Sequence, residues 1–338
     1  MRVGVIGLGS WGTALALQLM RAGQAVAAWG NEPEHVAEVA AARENRRFLP
    51  GARLDGPFCC DADLGAVVAE AEALILAVPS RAMGEVCRQI ARLDPAPRLV
   101  INASKGLVPG SGSRLSSEIG RILPGWPLAV LSGPSHAEEV AVRSPTAVVT
   151  AAADLTWAEA ARGLIMTEEF RVYTSTDLVG VEIGGALKNV IALAAGSVDG
   201  LGFGDNTKAA LITRGLAEMA RLGRALGAQQ STLFGLAGLG DLVATCASRH
   251  SRNRYVGEQL GRGRGLEEIL AGMTMVAEGV ATAATARDLA RLHGVEIPIT
   301  EAVCAVLAGQ LGPEAAVRML MTREPKLEAA AWQEATPP

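Results

Sequence analysis

Four lysines, Lys105, Lys188, Lys208 and Lys326, stand among 31 basic residues, and arginine holds every other basic position. A chain that uses arginine for ordinary positive charge keeps a lysine where the amine itself is needed: a buried lysine can release its proton, and arginine effectively cannot. Lys188 is the sharpest case. It lies in Glu182-Ile183-Gly184-Gly185-Ala186-Leu187-Lys188-Asn189-Val190-Ile191, inside a run from Leu178 to Val198 whose only charges are Glu182 and Lys188. Read as a helix, its neighbours three and four residues away are Gly184, Gly185, Ile191 and Ala192, so no acid neutralises it along the helix. Glu182 is six residues away, about 240° round the axis, and faces elsewhere. An amine so placed is expected to have a lowered pKa, which suits a general acid or base. Gly184 and Gly185 leave room for a cofactor or a second chain segment. The plain alternative is a lysine at the core edge reaching out to water.

A second constellation is built for an anion. Arg249-His250-Ser251-Arg252-Asn253-Arg254 precedes a helical pattern from Tyr255 to Leu260. Ser251 is a good N-cap, so a hydroxyl, a guanidinium, an amide and a helix N-terminus are gathered where a phosphate would be held. Taken alone, the stretch also reads as a solvated basic patch. Asp241, upstream in Gly238-Leu239-Gly240-Asp241, either polarises Lys188, orients a substrate hydroxyl, or is an ordinary loop acid.

Gly7-Leu8-Gly9-Ser10-Trp11-Gly12 follows the apolar run Val3–Ile6 and opens the helical stretch Thr13–Arg21. The first glycine allows the tight turn and the second lets a pyrophosphate approach the backbone. The third lets helix and strand pack, and the helix N-terminus attracts the phosphates. In this strand–turn–helix context the motif predicts a dinucleotide site. Past the second strand come Trp29-Gly30-Asn31-Glu32, where an acid would favour NAD and an arginine NADP. Asn31 is neither. Glu32 stands one place later and reads equally as a solvated acid at a helix start, so NAD and NADP both stay open.

The elements that must position these groups fall into two textures. Short apolar runs at Arg2–Ile6, Gln24–Trp29, Ala73–Val78, Arg98–Asn102, Leu128–Leu131 and Thr146–Thr150 alternate with helix-length segments such as Met83–Leu93. That alternation predicts an α/β, mostly parallel sheet covered by helices. Lys105 follows the fourth run, and Leu131-Ser132-Gly133-Pro134-Ser135-His136-Ala137 follows the fifth, both at strand ends where such sheets bind ligands. His136 tempts as an acid or base but reads rather as a capping or structural residue. From about Asp177 the pattern becomes helical, as in Lys208–Leu226 and Val276–His293, with Gly200–Gly204 and Gly235–Gly240 read as loops. The boundaries expected are a dinucleotide-binding domain at 1–177, an all-helical substrate and catalytic domain at 178–325, and a flexible tail at 326–338.

Composition narrows the class. At 338 residues, 49% hydrophobic and 20% charged, the chain has apolar material for two cores. A net charge of −4 and 4% aromatic residues offer neither a basic field nor stacking platforms for nucleic acid. The two charges within Leu178–Val198 would be costly in a bilayer, so a buried helix is expected rather than a span. Five cysteines without a CxxC pair read as reduced thiols, and the chain opens on a strand pattern rather than a secretory leader, so a cytoplasmic protein is expected. No metal site is expected.

Together these segments resemble the NAD(P)-dependent glycerol-3-phosphate dehydrogenases of bacterial type. The matching stretches are Gly7 to Gly12, Asn45-Arg46-Arg47-Phe48-Leu49-Pro50-Gly51, Ala103-Ser104-Lys105-Gly106, Leu131 to Ala137, Gly184-Gly185-Ala186-Leu187-Lys188-Asn189, Ser251-Arg252-Asn253 and Ala277-Glu278-Gly279. The resemblance runs from residue 1 to about 320. It implies an N-terminal Rossmann-like sheet followed by an all-helical C-terminal domain. It implies reduction of dihydroxyacetone phosphate to sn-glycerol 3-phosphate with NAD(P)H, for phospholipid synthesis, by a homodimer. Lys188 would be the proton donor and acceptor and also touch substrate. Lys105, Gly133, Ser135, Asp241, Ser251, Arg252 and Asn253 would contact substrate. Cofactor contacts would come from Gly7, Gly9, Ser10, Trp11, Gly12, Asn31, Lys105, Ala137, Arg252, Val276 and Glu278. At Asn31 the chain departs from the basic residue of many relatives, which argues against a strong NADP preference.

Two other readings predict different behaviour. In a 3-hydroxyacid dehydrogenase relative, the Ser251–Arg254 helix start would hold a carboxylate. A dinucleotide sensor without turnover would keep the glycine turn and need no titratable Lys188.

Overall fold

The computed structural model describes residues 1–96, 98–325 and 327–328. Lys326, and the expected tail at 326–338 apart from Leu327 and Glu328, lie outside the described residues.

Eight strands form one sheet: β1 Arg2–Ile6, β2 Ala25–Trp29, β3 Phe58–Asp61, β4 Ala73–Leu76, β5 Leu99–Asn102, β6 Leu128–Ser132, β7 Thr146–Ala151 and β8 Phe170–Ser175. Their order is β3-β2-β1-β4-β5-β6-β7-β8, parallel at every neighbour except the antiparallel pair β6 and β7. The apolar runs mark six of these strands. β3 and β8 were not expected, and they are the two edges of the sheet. In β8 only Phe170 and Val172 are buried, and in β3 only Phe58, so neither shows the continuous apolar run of an interior strand.

Interior strands bury both faces. On β4, Ala73 and Ile75 join Val3, Val5, Leu15 and Leu19 on one side, while Leu74 and Leu76 join Met83, Ile90 and Val100 on the other. Helices α1 Ser10–Arg21, α2 Pro33–Ala42, α3 Leu64–Glu70, α4 Met83–Arg92, α5 Leu115–Ile122, α6 Ala137–Ala141 and α7 Leu155–Ile165 cover these faces. Strand order reverses at β1, which has β2 on one side and β4 on the other, so the glycine turn after β1 sits at the switch point of the sheet.

Contacts divide the chain into two compact units, one of Met1–Val108 with Ser113–Glu182, the other of Pro109–Gly112 with the residues from Ile183 onward. The second unit is helical. It comprises most of α8 Leu178–Gly200, then α9 Asp205–Ala225, α10 Gln230–Leu233, α11 Asp241–Ala247, α12 Arg252–Gly261, α13 Leu266–Ala271, α14 Glu278–Leu292, α15 Pro298–Leu307 and α16 Pro313–Met321. By length and composition α8 passes for a membrane span, yet 83% of its apolar window is buried within the protein. It is a core helix: Val190 and Leu193 pack with Val256, Leu260, Ala283 and Cys304.

Glycines set how closely other helices approach α8. A methyl on Gly196 would overlap the Arg254 carbonyl oxygen of α12, and one on Gly257 would overlap the Leu193 carbonyl oxygen. A Cβ on Gly261 would stand 2.5 Å from the Ser197 carbonyl oxygen. The two helices therefore touch main chain to main chain. Residues 236–240, expected as loop, instead form a wide five-residue π turn, Leu236–Gly240. Its Gly238 lies against the main chain of Leu233, and a Cβ on Gly184 would stand 2.6 Å from the Ala237 carbonyl oxygen. Gly184 thus makes room for a chain segment.

Two acids are buried as caps. Glu182 accepts from the Ser116 N–H at 2.7 Å, the Ser116 hydroxyl at 2.6 Å and Arg114 at 3.1 Å, facing away from Lys188 as helical geometry requires. Burial pushes its carboxyl upward against those donors. Glu218 of α9 accepts from the Ile299 N–H at 2.5 Å and from the Thr300 N–H and hydroxyl, each at 3.1 Å, at the start of α15. Burial pushes its carboxyl up to about 7, opposed by those N–H groups.

Candidate functional site

In the sheet unit, the glycine turn is arranged to receive a phosphate. Gly7 has φ +121°, a conformation glycine adopts readily, and a Cβ there would stand 2.5 Å from the Ala77 carbonyl oxygen. Gly12 packs onto the Gly7 main chain, whereas a Cβ on Gly9 would meet nothing within 4 Å. Gly9 is the N-cap of α1, no side chain caps it and no acid occupies its first turn. Open N–H groups at a helix N-terminus, beside a glycine with free space over it, fit a dinucleotide pyrophosphate. Ser10 is buried in the first turn, and the Trp11 indole donates to the Ala103 carbonyl at 3.0 Å. Asn31 is exposed just past β2.

At the ends of β5 and β6, Lys105 Nζ donates to the Gly133 carbonyl at 2.8 Å and lies 3.4 Å from Ser135 Oγ, which also donates to Gly133 at 2.9 Å. The same amine stands 6.0 Å from the Trp11 ring centroid. The structure therefore brings Lys105, Gly133, Ser135 and Trp11 together within this unit. Gly133 needs its glycine: φ is +133° and a Cβ would stand 2.9 Å from Val148 Cα. Ala137 is the buried first residue of α6. His136 occupies the N-cap position of that helix, although its side chain makes no capping bond.

In the helical unit, Lys188 is 5% exposed and does not reach to water. Its Nζ donates to Asp241 Oδ1 and, at 2.9 Å, to Thr245 Oγ1. Asp241 is 1% exposed and sits at the first position of α11, delivered by the π turn that Gly184 admits. It is not a loop acid. Thr245, one turn further along α11, donates to the Asp241 carbonyl at 2.6 Å. The sequence reading missed Thr245. The signal was there: it lies four residues after Asp241, on the same helix face.

Ser251 caps α12 as expected, its Oγ accepting from the Arg254 N–H at 3.2 Å. Arg252 is half-buried in the first turn and Asn253 is 7% exposed. Asn253 Nδ2 donates to Asn189 Oδ1 at 2.9 Å, and Asn253 Oδ1 accepts from the Gly279 N–H at 2.9 Å. Asn189 was also missed. It adjoins Lys188 in the chain, so one segment supplies the amine and the partner that orients Asn253. Arg254 turns away to Asp199, at 2.7 Å, and to Glu258. Val276 and Glu278 are half-buried at the start of α14, beside the Gly279 N–H that Asn253 accepts. Among the described residues no group of three or more His, Cys, Asp or Glu stands together to hold a metal, and all five cysteines are free thiols.

A buried amine with a carboxylate and a hydroxyl, on the same unit as a capped helix N-terminus bearing arginine and amide, can deliver a proton and hold an anion. The comparisons identify the family. The family models described as NAD-dependent glycerol-3-phosphate dehydrogenase N-terminus and C-terminus match residues 2–158 and 177–318. Glycerol-3-phosphate dehydrogenase (NAD(P)+) of Chlorobium limicola is 49% identical over 331 residues, 97% of this chain and 99% of the relative. The enzyme of that name from Geobacillus thermodenitrificans is 49% identical over 327 residues, 96% of this chain and 95% of the relative. The crystal structure of glycerol-3-phosphate dehydrogenase from Coxiella burnetii superposes with a TM-score of 0.92 at 40% identity, covering 95% of this chain and 99% of that one.

Proposed function

The chain belongs to the NAD-dependent glycerol-3-phosphate dehydrogenase family, and from that premise we propose that it reduces dihydroxyacetone phosphate to sn-glycerol 3-phosphate with NAD(P)H. The sheet unit is the dinucleotide-binding domain. Gly7, Gly9, Ser10, Trp11 and Gly12 hold the pyrophosphate side of the cofactor. The helical unit is the substrate and catalytic domain.

A nicotinamide cofactor held by the sheet unit would supply the hydride that reduces the ketone. As the ketone oxygen gains negative charge, Lys188 Nζ gives it a proton, and general acid catalysis of this kind contributes about 10²–10⁴ in rate. Asp241 and Thr245 fix the amine through the hydrogen bonds they accept from it. Ser251, Arg252, Asn253 and the α12 N-terminus hold the substrate phosphate, so binding energy from a non-reacting group orients the reacting carbon. Lys105, Gly133 and Ser135 contact substrate from their own strand ends.

The observation that carries this reading is the Lys188–Asp241–Thr245 constellation, an amine buried with a carboxylate and a hydroxyl on elements whose glycines set their spacing. The test is to mix purified protein with NADH or NADPH and dihydroxyacetone phosphate and follow cofactor oxidation. Oxidation with this ketone supports the reading. Oxidation only with non-phosphorylated substrates, or none with any phosphorylated ketone, overturns it.

The same reading makes the protein a cytoplasmic homodimer that supplies glycerol phosphate for phospholipid synthesis. The burial of α8, which serves as a core helix, bears on one part of this, the absence of a membrane span there. Sedimentation of the purified protein and depletion of the enzyme in growing cells, with glycerol phosphate added back, test these points.

A further inference from the structure

Which cofactor the chain accepts turns on a pair of residues that lie outside the glycine turn. In sheets of this kind the segment after β2 reads the ribose 2′ position: an acid accepts from the hydroxyl of NAD, and an arginine meets the phosphate of NADP. Here Glu32 is the N-cap of α2, but its side chain does not cap the helix. Its carboxylate instead pairs with Arg47 NH1 at 2.5 Å. The two side chains are 51% and 43% exposed, so the pair stands at the surface, where such a bridge is readily exchanged.

Arg47 is held ready by what lies around it. Its guanidinium covers the Phe48 ring at 4.8 Å from the centroid, and the His35 ring meets Phe48 edge-on at 5.1 Å. Both His35 nitrogens are buried without a hydrogen-bond partner, so this ring acts as an apolar wedge under Phe48. The loop that carries Arg47 is tied to the glycine turn. Asn45 Nδ2 donates to the Leu8 carbonyl at 2.9 Å and to Thr13 Oγ1 at 2.8 Å, while Asn45 Oδ1 accepts from the Phe48 N–H at 3.2 Å. One buried amide thus anchors the arginine loop to the segment that receives the pyrophosphate.

We propose that Glu32 and Arg47 form an exchangeable reader of the ribose 2′ substituent. With NAD, Glu32 accepts a hydrogen bond from the 2′-hydroxyl. With NADP, Arg47 leaves Glu32 and takes the 2′-phosphate, a dianion that outcompetes a single carboxylate for a planar guanidinium. Because the resting pair supplies both partners, the chain binds both cofactors, and Asn31 need not be basic. The proposal rests on the reading of the sheet unit as a nucleotide-binding domain.

The experiment is isothermal titration of the full-length protein and of two variants with NAD+ and with NADP+, without substrate. For Arg47→Gln, NADP+ affinity is expected to fall about tenfold or more, the scale of one charge-assisted hydrogen bond, with NAD+ affinity nearly unchanged. For Glu32→Gln, NAD+ affinity falls and NADP+ affinity rises. The salt dependence of NADP+ binding should also exceed that of NAD+ in the unaltered protein and shrink to match it in Arg47→Gln. Equal losses for both cofactors in either variant, or no change in any, overturn the proposal while leaving the dehydrogenase reading intact. Failure of the unaltered protein to bind either cofactor overturns both. Thermal unfolding of each variant, expected unchanged for two surface side chains, separates lost recognition from lost folding.

Discussion

The Thr245 hydroxyl stands 2.9 Å from Lys188 Nζ, accepting from the amine while it donates to the Asp241 carbonyl. A hydroxyl used in both directions leaves little rotational freedom, and Asp241 Oδ1 takes a second hydrogen of the amine.

Replacing Lys188 by Ala is therefore expected to lower kcat by at least ~10², the lower bound for a lost general acid. Steady-state cofactor oxidation with dihydroxyacetone phosphate checks it, and near-normal turnover would remove Lys188 from the chemistry. Lys188→Arg should be similarly impaired, because charge survives there while the transferable proton does not.

Thr245→Val keeps shape and removes the hydroxyl. It takes one hydrogen-bond acceptor from the amine, so kcat should fall by roughly tenfold, the scale of one hydrogen bond to a charged group, with KM little changed. An unchanged kcat would show that the Thr245 hydroxyl does not orient the amine.

Arg252→Ala should raise KM for dihydroxyacetone phosphate by about tenfold or more, since a guanidinium–phosphate contact is charge-assisted. The same variant should lose inhibition by inorganic phosphate. Asn253→Ala is expected to do more harm, because Asn253 also accepts from the Gly279 N–H at the start of α14. Comparing the melting temperatures of the two variants distinguishes a binding effect from a structural one.

Much of this was legible in the residues, and what was not has a physical cause. Interior strands announce themselves as apolar runs because both their faces are covered, whereas the edge strands β3 and β8 carry too few buried residues to do so. Lys188 stood out because its helix is apolar all round. Its partner Asp241, 53 positions away, was among the alternatives read for that acid, but periodicity along one helix could not choose between them. The pairing of Asn253 with Asn189, 64 positions apart, was hidden for the same reason. The Ser251 cap, a local interaction, was read correctly for the complementary reason.

Gly196→Ala places a methyl on the Arg254 carbonyl oxygen, which only a shift of main chain can relieve. Overpacking of this type destabilises by about 1–3 kcal/mol, enough to lower the melting temperature by several degrees in a unit of this size. Calorimetry checks it, and an unaltered melting temperature would mean that α8 and α12 can separate freely.

The pH dependence of stability should carry the mark of Glu218. Its folded-state pKa of about 7 lies above its ordinary value of 4.5. The folded state therefore holds this proton more tightly, so the contribution to stability is fully present below pH 4.5 and is lost as pH rises through about 7. Urea unfolding at pH 5 and pH 8 should show the unaltered protein losing stability relative to Glu218→Gln on going to the higher pH. A difference independent of pH would mean that Glu218 does not titrate in this range.

Since α8 and α12 meet through their peptide backbones, the interval between the Lys188 amine and the Ser251–Asn253 helix start is set by main chain at Gly196 and Gly257. A redesign toward larger or smaller phosphorylated ketones has to leave the Gly196–Gly257 seam untouched and vary the residues that border it.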